Sequence, residues 1–366
     1  MFRQLITISR NTFIEAIRQP VFTVLLMTGV LGLVLNVFTA AYSMEPGEGD
    51  NKVLVDMGLS MVMLVCLLLA AFTATGVLSD EIESKTVLTV VSKPVARPTF
   101  VLGKFLGIGA AIALAYWVLA VAFFLSLRHQ VLQNASDRLD VPVLAFGFGF
   151  ALIALLVSLG SNYLYRRPFT STFVVLLAIG QLFALLGVLV VGKGWVLQSP
   201  LEEFFVDDGK NVQIVVGLGL IFQAVLVLTA VAVTVSTRLG QLMTLLICIG
   251  VFFAGLASNS LSGWVNQRLG LPHDVGVYQS IGAIFTADIG WGLALAYFAS
   301  KVVYLVLPNL QFFWPADAIS QGNSMIHDLG GNFTLVPVLS VTLYAALYLL
   351  VLVCLATALF QRREVG

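Results

Sequence analysis

The chain has 366 residues, of which 59% are hydrophobic and only 10% are charged, and its mean hydropathy is +0.99. A soluble domain of this size needs about a quarter of its residues charged to cover its surface, so the composition excludes a water-soluble globular protein. The formal net charge is zero and no segment carries a basic stripe, which argues against a nucleic-acid partner.

The first 19 residues predict an amphipathic helix that lies along the inner membrane interface, because apolar side chains recur with helical spacing on one side. The apolar positions are Phe2, Leu5, Ile6, Phe13, Ala16 and Ile17, and the polar positions opposite them are Arg3, Thr7, Arg10, Asn11, Glu15 and Arg18. Pro20 then separates this leader from the first apolar run. An ordinary basic flank, or a signal peptide cleaved near Ala41-Tyr42-Ser43, is the alternative.

Eight stretches are long and apolar enough to cross a hydrocarbon core of about 30 Å, which needs roughly 20 helical residues. They are Val21–Ser43, Leu54–Leu78, Phe105–Leu127, Val141–Tyr165, Phe169–Gly192, Val212–Ser236, Gly240–Ala257 and Phe333–Phe360, of which Gly240–Ala257 is the shortest. Only Asp56 puts a charge inside these limits. Because a charge at the centre of a span costs about 2.5–3.5 kcal/mol, this near absence of charges indicates membrane-spanning helices. The sequence therefore predicts an all-α, polytopic membrane protein with eight transmembrane helices.

The apolar stretch Ile281–Phe313 is predicted to be a re-entrant or interfacial hairpin. Asp288 and Lys301 leave twelve uncharged residues between them, which is about 18 Å of helix and too short to cross unless both charges reach outward. Pro308 then ends any continuation. We therefore assign residues 258–332 to an extracytoplasmic and re-entrant region.

The distribution of charges predicts that both termini are cytoplasmic. With eight spans, twelve Lys and Arg residues fall in inner segments and seven in outer segments, and the acidic residues divide five inside and fourteen outside. A ninth span would move Arg362 and Arg363 to the outer side, which favours eight.

The inner segment 79–104 combines charges with an apolar patch, which is typical of a docking element for a soluble partner. Ser79 is predicted to cap a short helix that Pro94 ends, and Glu81 is spaced to pair with Lys85. The alternative is a solvated loop. The candidate docking residues are Asp80, Glu81, Glu83, Lys85, Thr86, Val87, Leu88, Lys93, Pro94, Arg97 and Lys104.

Two sequence patterns, together with the leader helix before them, are specific enough to resemble a known family. The first is Lys85-Thr86-Val87-Leu88, then Lys93-Pro94-Val95-x-Arg97, then Phe100-Val101-Leu102-Gly103-Lys104. The second is Tyr304–Phe313, followed by an apolar final span and Arg362-Arg363-Glu364. They resemble the ABC-2 type permeases, most closely the subgroup that holds the permease associated with nitrous oxide reductase maturation. The resemblance covers roughly the first 127 and the last 150 residues.

The resemblance implies the transmembrane permease subunit of an ATP-driven exporter in the cytoplasmic (inner) membrane. Residues 1–19 would be an elbow helix, residues 20–366 the permease domain, and Asp80 to Arg97 the contact with a separate ATPase subunit. ATP would be used by that partner, so this chain is expected to bind no cofactor and to be no enzyme itself. A second permease copy, identical or related, would complete the pathway. The re-entrant element before the last span would contain Leu307, Pro308, Asn309 and Leu310.

The chain departs from the usual six spans of that family at residues 141–192, which add a helical hairpin joined by Tyr165-Arg166-Arg167-Pro168. An even number of extra spans preserves the orientation of the rest. Gly187 to Gly194 only superficially resembles a nucleotide-binding loop, since it lacks the Ser or Thr that binds magnesium. The pairs His273-Asp274 and His327-Asp328 are predicted to be solvated loop residues and not metal ligands.

Two further functions remain as alternatives to a transporter subunit. One is a membrane scaffold or assembly factor that transports nothing. The other is an independent secondary transporter, which the lack of intramembrane charges and of inverted repeats disfavours. Polar residues within the spans are predicted to bond helices together more than to line a pathway. They are Asn36, Thr73, Thr75, Asn162, Gln181 and Gln223.

Overall fold

The computed structural model describes residues 2–41, 48–79, 96–131, 139–200, 210–272, 277–286, 290–315 and 335–361. Within these ranges the chain is helical except for connecting turns and one isolated β-bridge between Val191 and Leu197. Eight of the helices are long and apolar enough to cross a membrane. The prediction of a polytopic α-helical membrane protein is confirmed.

The helices follow one another as α1 (Phe2–Arg18), α2 (Pro20–Ala40), α3 (Glu48–Ala74), α4 (Arg97–His129), α5 (Val141–Tyr165), α6 (Phe169–Val190), α7 (Lys210–Ser236), α8 (Gln241–Arg268), α9 (Val277–Thr286), α10 (Trp291–Val306) and α11 (Val336–Gln361). A π-helix, Thr75–Ser79, continues α3, and a 3₁₀-helix, Leu310–Phe313, precedes α11. The candidate spans are α2 to α8 and α11. Proline stands in the first turn of α2, α4 and α5, where its missing N–H costs no helical hydrogen bond.

Helices α4 and α8 extend furthest beyond their predicted spans. Helix α4 begins at Arg97 and not at Phe105, and α8 continues past Ala257 to Arg268. The α4 extension carries the charge of Lys104, which an ion pair with Glu15 neutralises. Polar residues dilute the hydropathy of the α8 extension, but several of them are buried against neighbouring helices. Each extension is therefore stabilised by contacts that local hydropathy does not record.

Helices α3, α4 and α7 form the centre of the bundle. In the apolar windows of these three helices, 61%, 72% and 67% of the residues are buried, against 17% for α5 and 11% for α11. Two of the polar side chains within spans bond neighbouring helices. The Asn36 amide donates to the Leu54 carbonyl at 2.9 Å, and the Gln223 amide donates to the Thr342 hydroxyl at 3.0 Å. The mostly exposed surfaces of α5 and α11 are apolar, as lipid contact requires.

Side-chain contacts establish which helix ends share a face of the bundle. Arg97 donates to the carbonyl of Gln361 at 2.8 Å, and the Thr170 hydroxyl donates to the carbonyl of Arg18 at 3.0 Å. The ends of α1 and α11 and the starts of α4 and α6 therefore lie at one face, which we call the terminal face. The other ends of α4 and α6 meet at the opposite face, where Arg128 donates to the Val191 carbonyl at 2.9 Å. The first and last helices end at the same face. This agrees with the predicted even number of membrane crossings.

Candidate coupling site and re-entrant element

The structure describes both ends of the predicted docking segment. Of its candidate residues, Asp80, Glu81, Glu83, Lys85, Thr86, Val87, Leu88, Lys93 and Pro94 lie outside the described residues. The π-helix ends just before these residues at Ser79, and α4 begins after them at Arg97. Both ends lie at the terminal face, so the residues between them form a connection that is anchored at two points.

The π-helix Thr75–Ser79 anchors the first end. The Thr75 hydroxyl donates to the carbonyls of Ala71 and Phe72, and the widened turn places Gly76 against the junction of α1 and α2. A Cβ on Gly76 would lie 2.6 Å from the side-chain Nε2 of Gln19. Such single π-turns inside α-helices occur frequently at functional sites. Ser79 is the last residue of the π-helix, and the helix that Ser79 is predicted to cap lies outside the described residues.

The first turns of α4 anchor the second end. Arg97 bonds the last turn of α11, and the ring of Phe100 stacks on Phe360 with centroids 5.4 Å apart. Lys104 is almost completely buried, with its Nζ 3.6 Å from a carboxylate oxygen of Glu15 and 5.7 Å from the Phe100 ring centroid. Hydropathy places Lys104 just before the third span. It lies inside α4 because Glu15 on α1 supplies the opposite charge.

Helix α1 packs closely on α4 because two glycines of α4 face it. A Cβ on Gly107 would lie 2.5 Å from both the carbonyl oxygen of Ser9 and the Cβ of Thr12, and one on Gly103 would lie 2.8 Å from Ile8. Glycines four residues apart let two helix backbones approach closely in a membrane. The structure therefore contains the predicted leader helix and fixes it against the start of α4.

The packed side of α1 overlaps the predicted apolar side only in part. Ala16 and Ile17 of the predicted apolar side are buried, but Phe2 and Ile6 are 74% and 51% exposed, and the polar Thr12 is buried. Thr12 is buried because it packs against Gly107 of α4, whereas Phe2 and Ile6 are exposed and can contact lipid. We use the name coupling platform for α1, the π-helix, residues 97–104 of α4 and the last turn of α11.

The opposite face carries the predicted re-entrant region. Helix α10 runs along α8 in the reverse direction, because Tyr297 contacts Trp264 near the end of α8 while the Pro308 carbonyl lies beside Gly255. A Cβ on Gly255 would lie 2.6 Å from that carbonyl oxygen. Gly255 and Trp264 are nine residues apart on α8, which is about 14 Å of helix. The chain therefore descends along α8 from the opposite face.

The descending chain turns at residues 307–310, three of which are buried: Pro308, Asn309 and Leu310. The backbone N–H of Asn309 donates to the Tyr344 hydroxyl at 2.9 Å, and the Asn309 side chain accepts from the N–H of Gln311 at 3.1 Å. The hydroxyl of Tyr348 donates to the carbonyl of Val306 at 2.7 Å. The turn is thus held between α8 and α11, and the next span starts again from the opposite face. The starts of α10 and α11 therefore lie at the same face of the bundle.

Lys301 is buried, which sequence reasoning did not predict. Its side chain is only 1% exposed, so its charge does not reach outward as a membrane crossing by this stretch would require. Its Nζ donates to the Ser262 hydroxyl at 2.8 Å, to the Ser262 carbonyl at 3.1 Å and to the Asn266 side-chain oxygen at 2.6 Å. Burial lowers the pKa of Lys301, since a desolvated ammonium loses favourable hydration. One sequence signal pointed to a polar partner for this amine: Ser262 and Asn266 have i,i+4 spacing, which places both on one side of α8.

A second buried polar cluster joins the hairpin α5–α6 to α4 at the opposite face. Arg128 lies 3.5 Å from a carboxylate oxygen of Asp140 and donates to the carbonyls of Val188 and Val191. Asp140 also accepts from the N–H of Val143 at 3.3 Å and so caps α5. These contacts tie the extra hairpin to α4 and make it an integral part of the bundle.

Comparison with known families supports part of this picture. Residues 6–164 match the family model described as ABC-2 family transporter protein. The match covers less than half of the chain; it includes most of α1, the connection 80–95 and α4, and it leaves out the re-entrant region. No curated protein matches the chain significantly. The resemblance to ABC-2 permeases is confirmed over these residues. The more specific resemblance to the nitrous oxide reductase maturation subgroup is not confirmed.

Proposed function

We propose that this chain is the membrane permease subunit of an ABC-2 type exporter and that a separate ATPase subunit drives it. The observation that carries this proposal is the coupling platform. The connection 80–95 joins the π-helix to α4, both of which contact α1, and it lies within the residues that match the ABC-2 family model. A soluble subunit bound to this connection would act on all four elements of the platform.

Helix α4 is the element that would transmit a movement of the ATPase subunit from the terminal face to the opposite face. It has 33 residues and is therefore about 50 Å long, enough to cross the membrane and extend beyond it. Its start bonds α1 and α11, and its end bonds the hairpin α5–α6 through Arg128. A tilt of α4 at the terminal face would therefore displace helices at the opposite face, as alternating access requires.

The proposed orientation places the terminal face in the cytoplasm. Arg18, Arg97, Arg166 and Arg167 all lie at helix ends on this face, which is the distribution that the positive-inside rule associates with the cytoplasmic side. The re-entrant region would then face outward. A second permease copy is the partner that the resemblance implies for completing the pathway.

The experiment that tests the proposal is co-purification of this chain with the ATPase encoded nearest to it. The test variant is Glu81→Arg with Val87→Asp in the connection 80–95. The matched control is Glu202→Arg with Val206→Asp, which makes the same two substitutions in a segment that joins helices at the opposite face. We expect the wild type and the control to retain the ATPase and the test variant to lose it.

Reconstitution in vesicles then separates a transporter from a scaffold. A permease subunit should alter the ATP hydrolysis rate of its partner, and the Glu81→Arg, Val87→Asp variant should abolish that change. A folded wild type that binds no ATPase, or that binds one without affecting hydrolysis, would instead favour the membrane scaffold. Both assays use the full chain.

A further inference from the structure

Three arginines that are far apart in the sequence meet at the terminal end of the hairpin α5–α6. Arg166 and Arg167 form the turn between α5 and α6, and Arg18 is the last residue of α1. The hydrogen bond from the Thr170 hydroxyl to the Arg18 carbonyl joins the two sites at 3.0 Å. Arg167 precedes Thr170 by three residues, so at most about 11 Å of chain separates them. The folded chain thus concentrates three positive charges in one place.

The turn that carries Arg166 and Arg167 has a defined geometry. Arg166 adopts the left-handed conformation with φ of 51°, and its N–H caps α5 by donating to the Ser161 carbonyl. The Asn162 amide donates to the Arg167 carbonyl at 2.6 Å. A non-glycine residue in this conformation needs such support from its surroundings. The two guanidinium groups are therefore presented from a fixed backbone.

None of the three arginines forms an ion pair with the described residues, and all three are exposed. The neighbouring carboxylate on α1, Glu15, is the ion-pair partner of Lys104. Because the nearest carboxylate on α1 already has a cationic partner, the three arginines leave unbalanced positive charge at this surface.

The position of the three arginines relative to the membrane indicates which class of anion would bind them. Tyr163, Leu164 and Tyr165, in the last turn of α5, are 87%, 70% and 73% exposed. Exposed tyrosines next to arginines are typical of the level where lipid headgroups meet the hydrocarbon core. Helix α5 has 25 residues, about 38 Å, and α6 has 22, about 33 Å, so their turn lies just beyond a core of about 30 Å. Phosphate groups of lipids occupy this level.

We propose that Arg18, Arg166 and Arg167 form a binding site for the headgroup of an anionic phospholipid, with Tyr163 and Tyr165 at the glycerol and acyl boundary. A soluble anion would not cover the exposed Tyr163, Leu164 and Tyr165, whereas a phospholipid would contact both the charges and the apolar surface. The site would fasten α1 to the hairpin at the same interface where Phe2 and Ile6 of α1 are exposed. It does not depend on the transport function.

The experiment measures binding of phosphatidylglycerol to the purified full chain in neutral detergent, by native mass spectrometry and by the lipid-dependent rise in Tm. Phosphatidylcholine with the same acyl chains and soluble glycerol phosphate are the comparison ligands. The test variant is Arg18→Gln, Arg166→Gln and Arg167→Gln. The matched control removes three exposed cations from the opposite face through Lys52→Gln, Lys193→Gln and Arg268→Gln.

We expect the wild type and the opposite-face control to bind phosphatidylglycerol in preference to phosphatidylcholine. Each arginine near an anionic headgroup contributes about 1 kcal/mol, which is roughly a fivefold change in affinity, so the triple variant should bind about a hundredfold more weakly. Arg166→Lys with Arg167→Lys keeps both charges and should bind within a few-fold of wild type. This charge-conserving variant also separates loss of charge from loss of fold.

Four results would overturn the proposal. They are equal binding of the two lipids by the wild type, unchanged phosphatidylglycerol binding by the triple variant, an equal loss in the opposite-face control, and glycerol phosphate binding as tight as that of the lipid. If the triple variant releases the ATPase subunit and still binds phosphatidylglycerol normally, the arginines serve a protein partner and the lipid site is wrong.

Discussion

At the scale of single residues, Lys301 shows how a charge can be buried in the re-entrant region. Its three N–H groups find three oxygens on α8, so the amine is saturated with hydrogen bonds although it is removed from water. Replacing it with Ala would leave the Ser262 and Asn266 oxygens without this donor and would open a cavity. We expect Lys301→Ala to lower the free energy of unfolding by about 2–5 kcal/mol.

Lys301→Met is the matched variant, because it keeps the length of the side chain and removes only the amine. It should cost less than Lys301→Ala, and unfolding in detergent followed by tryptophan fluorescence measures both. Equal stability of all three proteins would mean that α10 is not held to α8 through this amine.

Titration of Lys301 gives a separate prediction on pH. Because burial lowers its pKa in the folded protein, the unfolded chain binds more protons between that lowered pKa and the ordinary lysine value of about 10.4. The contribution of this group to stability therefore rises with pH through that window. The difference in Tm between wild type and Lys301→Met should shift in favour of the wild type as pH increases towards about 10.4. A difference that is constant with pH would contradict a lowered pKa.

At the scale of helices, the contact between α1 and α4 depends on one glycine. Ala at position 107 would place its Cβ 2.5 Å from the Ser9 carbonyl, so α1 must move away. Gly109, two residues further along α4, has no neighbouring atom within 4 Å of the position that an alanine Cβ would occupy. We expect Gly107→Ala to destabilise the protein by about 1–3 kcal/mol, whereas Gly109→Ala should be neutral or stabilising by up to about 1 kcal/mol.

Thermal unfolding and protease accessibility of residues 2–18 distinguish the two glycine variants. If α1 takes part in coupling, Gly107→Ala should also reduce the effect of the permease on ATP hydrolysis by its partner, and Gly109→Ala should leave that effect unchanged. Identical behaviour of the two variants would show that the close approach of α1 is unimportant.

Most of the helices could be predicted from the sequence, for a physical reason. A span requires about 20 apolar residues whatever its neighbours are, so α5 begins and ends where hydropathy placed it. The amphipathic spacing of α1 was equally visible. The extension of α8 could not be predicted from local sequence, because Ser262 and Asn266 are stabilised by Lys301, which lies more than 30 residues further along the chain. The meeting of Arg18 with the α5–α6 turn depends in the same way on tertiary contacts, which local sequence patterns do not contain.

At the scale of the whole molecule, α4 connects the two faces. Its start belongs to the coupling platform, and its end holds the hairpin through the buried pair of Arg128 and Asp140. One side of α4 packs against α1, and its other sides pack against α3 and α7 in the centre of the bundle. A movement imposed at the terminal face therefore has a continuous, mostly buried helix through which to reach the opposite face.

This arrangement predicts that the Arg128–Asp140 pair is needed for transmission and not for binding of the ATPase. Arg128→Gln leaves Asp140 as a buried charge without its partner, and Asp140→Asn does the same to Arg128, so each should destabilise the protein by about 3–5 kcal/mol. The double variant Arg128→Gln, Asp140→Asn leaves no unpaired charge and should recover part of that loss, because the Asn oxygen can still accept from Val143. In reconstituted vesicles the double variant should retain the ATPase subunit but show weakened transport. Normal transport would mean that α4 does not act through the hairpin, whereas loss of the ATPase would mean that the pair supports the platform itself.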